Sequence, residues 1–132
     1  MVIGIGHDLC DITRIAAAMD GRLREKFLAR ILTAAELELA EDCRGTRLHQ
    51  FVAGRFAAKE SIAKAFGCGI GSELGFADIE IGRDKKGKPC CKLSAEGAAR
   101  LGFRKEEIRI HITITHEREL ASAFAVVERI MQ

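Results

Sequence analysis

The feature that most constrains the fold of this chain is a long helical pattern over residues 47–66. Apolar side chains recur there at steps of three and four residues, as they do on one face of an α-helix. Gly67 follows at once, in the position where many helices end. A helix of about twenty residues is about 30 Å long, the width of a small domain. We therefore expect one long helix around which shorter elements pack.

The other elements are predicted to be short. The run over residues 2–6 predicts a strand that leads into a turn at residues 6–8. Thr33 and Glu36 have the spacing of a capping box, which predicts a helix through residue 43. The remaining predicted elements are helices over 11–19 and 22–32, strands over 76–81, 90–93, 108–115 and 120–130, and a short helix capped by Ser94. We expect one α+β domain over residues 1–132, with helices packed on a largely antiparallel sheet.

The last predicted strand is apolar or small on both faces. One face carries Leu120, Ser122, Phe124 and Val126, and the other carries Ala121, Ala123, Ala125 and Val127. Two explanations are open. Both faces could be buried within one chain, or one face could cover the core while the other meets a second copy of the chain.

Composition limits the classes of function. The chain has 132 residues, of which 48% are apolar and 30% charged, as in a globular protein. A net charge of +2 gives no overall field for nucleic acid, and no apolar run reaches the ~20 residues of a membrane span. The five cysteines are odd in number and form no CxxC pair, so we expect reduced thiols in a cytoplasmic protein without a disulfide framework or a zinc site. The apolar run at the N-terminus is too short for a signal peptide.

Four charged residues of the long helix are the first candidates for chemistry. Arg55, Lys59, Glu60 and Lys64 place three cations and one carboxylate within ten residues. Such a set suits polyphosphate with magnesium, because carboxylates hold the metal and cations hold phosphate oxygens. Glu60 and Lys64 could instead form an ordinary surface ion pair one turn apart. Asp8, which follows the first predicted strand, could equally be a turn residue or a helix cap.

Two further candidates lie outside the helix. The glycines at 67, 69 and 71 could cradle phosphate with backbone N–H groups, or form a plain flexible connection. His116 ends a strand and could be structural or could contact a phosphate or ribose group. The stretch 14–30 carries five basic and two acidic residues, which is either a docking patch for an acidic partner or an ordinary solvated surface.

Three separated motifs together resemble the holo-acyl-carrier-protein synthases, a family of 4′-phosphopantetheinyl transferases. They are the segment from Gly4 to Asp8, the segment from Gly54 to Lys64, and the strand from Ile112 to His116. The resemblance covers nearly the whole chain, and three motifs in the right order are far more specific than one. It implies the transferase fold and transfer of the 4′-phosphopantetheine arm of coenzyme A to a serine of apo-acyl carrier protein, in fatty acid biosynthesis.

The resemblance also implies roles for individual residues. Asp8 and Glu60 would be the magnesium ligands, and Lys64 would contact the coenzyme phosphates. Asp8, Glu60 and Lys64 would form the catalytic set. Other coenzyme contacts would come from Arg47 near the adenine, from Arg55 and His116 near the 3′-phosphate, and from the loop residues Gly67, Cys68 and Gly69. Carrier-protein contacts would come from Arg14, Arg22 and Lys26.

The family is usually a homotrimer with the coenzyme site between subunits, which implies that His116 reaches the site from a neighbouring copy. The related double-length transferases often carry a further acid where Cys10 stands, so we expect two protein carboxylates on the metal. Attack by the carrier serine on the β-phosphate would release adenosine 3′,5′-bisphosphate. Glu60 could take the serine proton directly or through a water.

Three alternatives remain open at the level of sequence. The same transfer could serve polyketide or peptide carrier domains. The chain could be a non-catalytic oligomeric module that binds acidic partners. A nucleotide hydrolase is disfavoured because no P-loop pattern is present.

Overall fold

The structure, a computed structural model, describes residues 1–130. Within that range the chain forms five strands and five α-helices, with two 3₁₀ turns. The strands are β1 (Val2–Asp11), β2 (Ile79–Arg83), β3 (Pro89–Leu93), β4 (Ile108–His116) and β5 (Leu120–Arg129). The helices are α1 (Ile12–Asp20), α2 (Arg24–Ile31), α3 (Ala34–Ala40), α4 (Gly45–Ala65) and α5 (Ala95–Arg100), and the 3₁₀ turns are Phe76–Asp78 and Lys105–Glu107.

The strands form two antiparallel sheets. Three strands pair in the order β1-β5-β4, and β2 pairs with β3 in a separate hairpin. The long helix α4 packs against the inner face of the three-stranded sheet, and its apolar side chains are mostly buried. The prediction of an α+β fold with helices on antiparallel sheet is confirmed, and the predicted long helix is found over nearly the expected residues.

Strand β1 crosses α4 at unusually short range because two glycines face the helix. A Cβ atom added at Gly4 would lie 1.8 Å from the carbonyl oxygen of Ala65, and one added at Gly6 would lie 1.8 Å from that of Ser61. No side chain fits at either position. These glycines serve a close approach of two backbones.

The predicted end of the first strand is wrong. No turn occurs at residues 6–8, because β1 continues to Asp11 and pairs with β5 along that length. The residue that caps α1 is Asp11, whose carboxylate accepts a hydrogen bond from the Thr13 N–H. Asp8 therefore lies within a strand, and its alternative roles as a turn residue or a helix cap are excluded.

The smaller elements differ from prediction at their ends. The capping box at Thr33 and Glu36 is present, but α3 ends at Ala40. Ser94 caps α5 as predicted, by accepting from the Gly97 N–H. The strand expected from residue 76 begins at Ile79, because the preceding residues form a 3₁₀ turn.

The outer face of the three-stranded sheet is uncovered and carries exposed apolar side chains among polar ones. The alanines of β5 face α4 and are buried, whereas Leu120 and Phe124 on the opposite face are 47% and 40% exposed. Ile5 and Leu9 of β1 lie on the same outer side and are 61% and 60% exposed. Burial of both faces within one chain is thus excluded for the described residues.

Among residues 1–130, no helix is both long enough and apolar enough to cross a membrane.

Candidate active site

The structure brings Asp8, Glu60 and Lys64 together where β1 crosses α4. Lys64 Nζ lies 3.0 Å from Asp8 Oδ1 and donates to the carbonyl oxygen of His7 at 3.1 Å. The glycine-mediated approach of the two elements is what places Asp8 beside the helix. Lys64 therefore pairs with the strand, and the alternative in which it forms a surface ion pair with Glu60 is wrong.

The two carboxylates are close enough to influence each other. Partial burial raises the pKa of Glu60 above its ordinary value, the charge of Asp8 raises it further, and Lys64 lowers it. Cys10 lies near both acids, and burial followed by the Asp8 charge raises its pKa to about 11. The Cys10 thiol is thus neutral at physiological pH. The negative charge of this region therefore comes from the Asp8 and Glu60 carboxylates.

This donor set fits magnesium. No group of three or more His, Cys, Asp or Glu side chains that could hold a metal occurs in the described part of the chain. Magnesium needs fewer protein ligands, since it is usually held by one or two carboxylates together with waters and substrate phosphates. A cation between Asp8 and Glu60 would also relieve the repulsion that raises the pKa of Glu60.

A second cluster of candidate residues lines a different cleft. Arg47, Arg55 and His116 share a cleft of about 340 Å³ with residues that include Arg83 of β2 and Pro89 of β3. Asp8, Glu60 and Lys64 do not line it. Three guanidinium groups and an imidazole in one cleft form a site for an anion with several negative charges.

Arg55 is the most constrained member of this anion cleft. Its side chain is only 5% exposed, its guanidinium lies 4.2 Å from the centre of the Phe51 ring, and its Nη2 donates to the Ile81 carbonyl at 3.4 Å. Its Nε atom is buried with no hydrogen-bond partner among the described residues. Burial and then the charge of Arg83 lower the pKa of Arg55. A bound anion would supply the partner and the counter-charge.

The loop after α4 cannot cradle phosphate with the expected N–H groups. Gly67 and Gly69 have φ angles of 79° and 67°, as in a glycine-terminated helix end. The N–H of Gly67 donates to the Lys64 carbonyl, and those of Cys68 and Gly69 donate to the Ala63 carbonyl. The N–H of Gly71 is also occupied, because it donates to the Leu74 carbonyl. Any contact that residues 67–69 make with a ligand has to use other atoms.

The proposed carrier contacts are exposed residues of the first two helices and the turn between them. Arg14 of α1, Arg22 in the following turn and Lys26 of α2 are all exposed. Beside Arg14 lies a groove of about 290 Å³ whose walls include Phe27 and Phe56. The Phe27 and Phe56 rings also line a second groove, which contains Glu60. The groove beside Arg14 therefore adjoins the groove that leads to the Glu60 carboxylate.

Comparison with known proteins identifies the class of this fold and site. The sequence model of the 4′-phosphopantetheinyl transferase superfamily matches residues 4–126. The chain belongs to this superfamily, and the resemblance inferred from its three motifs is confirmed.

The relatives specify the branch of the superfamily. The chain is 44% identical over 128 residues to the holo-[acyl-carrier-protein] synthase of Bacillus cereus, which covers 97% of each protein. A crystal structure of the Bacillus anthracis synthase in complex with CoA (3′,5′-ADP) matches with a TM-score of 0.84 and 42% identity, over 98% of this chain and 99% of that one. The Neisseria meningitidis synthase matches with a TM-score of 0.85 and 33% identity, over 98% and 100% of the two chains.

Sequence reasoning missed Arg83, Gln50 and Phe51 as members of the anion cleft. Gln50 and Phe51 precede Arg55 on α4 by about one turn, so helical spacing from Arg47 and Arg55 could have found them. Arg83 is different, because it reaches the cleft through the packing of the β2–β3 hairpin, which no local pattern indicates.

Proposed function

We propose that this chain is a holo-acyl-carrier-protein synthase. It transfers the 4′-phosphopantetheine group of coenzyme A to a serine of apo-acyl carrier protein and releases adenosine 3′,5′-bisphosphate. The observation that carries the proposal is the Asp8, Glu60 and Lys64 cluster at the β1–α4 crossing, in a chain that belongs to the transferase superfamily over residues 4–126. Transfer to polyketide or peptide carriers, and a non-catalytic docking role, have no observation in their favour.

The chemistry follows from the charges of the site. The carrier serine oxygen forms a bond to the β-phosphorus of coenzyme A, the bond from that phosphorus to the bridging oxygen breaks, and the bridging oxygen leaves with adenosine 3′,5′-bisphosphate. Lys64 stabilises the charge that develops on the phosphate oxygens. Glu60 accepts the serine proton, directly or through a water, because it is the carboxylate on α4 beside Lys64.

Asp8 and Glu60 are the residues that would hold magnesium. When bound there, the metal would offset the negative charge of the two phosphates. Among the described residues only these two carboxylates would bind the metal, so substrate phosphates and waters would complete its coordination.

Incubation of the chain with apo-acyl carrier protein, coenzyme A and magnesium tests this function. The expected result is a gain of one phosphopantetheine group in the mass of the carrier. A carrier whose mass stays unchanged, under conditions in which the B. cereus enzyme modifies it, would contradict the proposal. Omission of magnesium with excess chelator should abolish the gain in mass.

We further propose that the complete site forms between two copies of the chain in a homotrimer. The carboxylate cluster and the anion cleft are separate in one chain, yet a single coenzyme A carries both the diphosphate and the 3′-phosphate that they suit. The uncovered apolar face of the sheet supplies a surface for a second copy. In this arrangement Arg55 and His116 of one copy meet Asp8, Glu60 and Lys64 of its neighbour.

Mixing of two inactive variants tests the shared site. Glu60→Gln removes one half of a site and Arg55→Met the other, so each variant alone should be inactive. Subunit exchange should restore transfer, because some sites then pair an intact Glu60 with an intact Arg55 from the neighbouring copy. A mixture that remains inactive after exchange, verified by mass spectrometry of the mixed oligomer, would place both halves in one chain.

Phe124→Asp tests the apolar face as the subunit contact. A carboxylate on this face should dissociate the oligomer, because a buried unpaired charge is costly. Light scattering should give a monomer mass, with transfer activity lost. Leu39→Asp is the matched control, since Leu39 of α3 is similarly exposed at 37% but lies off the sheet. That variant should keep the wild-type mass, and its dissociation would argue against the sheet as the contact.

Three finer points belong to the same proposal. The whole of residues 1–132 forms one transferase domain. The five cysteines are free, which supports a cytoplasmic location. The exposed cations Arg14, Arg22 and Lys26 dock the acidic carrier protein, and the coenzyme contacts of Arg47 and of residues 67–69 remain as the family resemblance implies.

A further inference from the structure

Lys59 and Glu36 form an ion pair that the protein encloses completely. Both side chains have no exposed surface, and Lys59 Nζ lies 2.6 Å from Glu36 Oε1. Burial lowers the pKa of Lys59, and the Glu36 carboxylate opposes that shift. A buried pair of this kind contributes little net stability, because loss of hydration offsets the attraction of the charges. The backbone groups that the pair holds are therefore the more informative feature.

The pair joins five separate elements of the fold. Lys59 Nζ also donates to the carbonyl oxygens of Ile31 at 2.7 Å and Phe76 at 3.1 Å, so all three of its protons are used. Glu36 Oε2 accepts from the Ile81 N–H at 2.9 Å. Helix α4 is thereby tied to the end of α2, to the start of α3, to the 3₁₀ turn before β2 and to β2 itself.

Two of these contacts are the walls of the groove that contains Glu60. Ile31 of α2 and Phe76 of the 3₁₀ turn both line this groove of about 310 Å³, and Glu60 is the residue after Lys59. One ammonium group thus holds both walls beside the carboxylate that accepts the proton in the proposed reaction.

The other contact leads to the anion cleft. Glu36 holds the N–H of Ile81, and the carbonyl oxygen of the same residue accepts from Arg55 Nη2. A continuous set of hydrogen bonds therefore runs from the Glu60 groove through Lys59, Glu36 and Ile81 to Arg55.

We propose that Lys59 and Glu36 are a positioning pair for the transfer of phosphopantetheine, an inference that rests on the proposed function. The pair fixes the groove beside Glu60 and the orientation of Arg55 without touching the substrates. Phosphoryl transfer depends on this kind of fixation, because a misplacement of about 1 Å can lower a rate by about 10²-fold.

The double variant E36Q/K59M separates positioning from folding. Gln can replace Glu in a capping box, so the bond to Thr33 can persist. Met fills the space of the lysine stem, and no buried charge is left without its partner. The variant loses the donor to the Ile31 and Phe76 carbonyls. Because an amide has one acceptor oxygen, a Gln that keeps the bond to the Thr33 N–H also loses the acceptor for the Ile81 N–H. We expect a folded protein whose kcat falls by about tenfold or more, while KM for coenzyme A rises by a smaller factor, since Arg47, Lys64 and His116 are unchanged.

A rescue and a matched control complete the test. E36Q/K59Q restores an amide that can donate to one wall, and its kcat should lie between those of the wild type and E36Q/K59M. Val127→Ala removes buried apolar volume from β5 and should lower stability without lowering kcat at temperatures where the protein is folded. The proposal would be overturned by an equal loss of kcat in Val127→Ala or by wild-type kcat in E36Q/K59M. Failure of both double variants to fold would also overturn it.

A second measurement does not depend on activity. Hydrogen exchange at the Ile81 amide and at residues 76–78 should be about tenfold faster or more in E36Q/K59M than in the wild type. If the wild type fails to modify the carrier, the proposed function is wrong, whereas unchanged exchange in the variant contradicts the positioning pair itself. The two failures are thus distinguishable.

Discussion

Glu60→Gln should abolish transfer while leaving the metal-free protein as stable as the wild type or more so. The variant keeps the size of the side chain but removes a metal ligand and a proton acceptor, and loss of acid–base catalysis alone lowers rates by about 10²–10⁴-fold. The stability effect has the opposite sign. Burial and Asp8 raise the pKa of Glu60, so the ionised group opposes folding at neutral pH.

The pH dependence of this difference follows from the raised pKa. A raised pKa in the folded state favours folding at low pH, and this contribution is lost as the pH rises through the folded-state pKa. Glutamine carries no such charge. Glu60→Gln should therefore have a higher thermal midpoint than the wild type at pH values above the folded-state pKa of Glu60. The difference should vanish in acid, where Glu60 is protonated in both the folded and the unfolded state.

Carrier mass and thermal unfolding in chelator are the two measurements. Glu38→Gln is the matched control, because Glu38 of α3 is exposed and lies outside the site. It should retain transfer and show no pH-dependent gain in stability. Near-normal turnover by Glu60→Gln would remove Glu60 from the metal site, and a large drop in its thermal midpoint would contradict the electrostatic account.

Gly6→Ala should strongly destabilise this chain, although it adds only one methyl group. Its Cβ would lie 1.8 Å from the Ser61 carbonyl oxygen, so β1 and α4 have to separate. Overpacking of a well-packed contact typically costs 1–3 kcal/mol, and a clash with backbone on both sides has no flexible side chain to absorb it. We expect a loss of about 3 kcal/mol or more, measured by urea unfolding.

The same substitution should damage the site. Separation of β1 from α4 moves Asp8 away from Lys64, so transfer at low temperature should fall even in the fraction that remains folded. Gly82→Ala in β2 is the matched control, because nothing lies within 4 Å of the Cβ position there. Gly82→Ala should change unfolding free energy by less than about 1 kcal/mol. Equal effects of the two substitutions would mean that the close crossing does not constrain Gly6.

The sequence predicted the long helix well because its apolar period extends over five turns. The same pattern placed Arg55, Glu60 and Lys64 on one element, and their order with the Asp8 and His116 motifs indicated the family. The turn at residues 6–8 was predicted wrongly because two glycines in an apolar run are typical of a turn. In the structure they make room for a helix that is distant in sequence, which is a tertiary cause that local patterns do not contain.

Other features of the site depend on tertiary packing in the same way. Lys59 was predicted as one of three helix cations that could hold phosphate oxygens, and its complete burial excludes that contact, since spacing alone cannot tell a buried ammonium from an exposed one. Its burial depends on Glu36, which a capping box already explained locally. Arg83 reaches the anion cleft only because the β2–β3 hairpin packs against α3 and β4.

The helix α4 carries most of the site residues along its 21 residues, from Arg47 near its start to Lys64 near its end. It is also the element against which the sheet packs, so no part of it can melt while the core stays intact. Within one copy, thermal unfolding should therefore be cooperative, with no intermediate that keeps the sheet but loses the α4 residues of the site. Temperature-sensitive alleles selected for loss of transfer would then map throughout the α4 core contacts, far from any atom that the substrates touch.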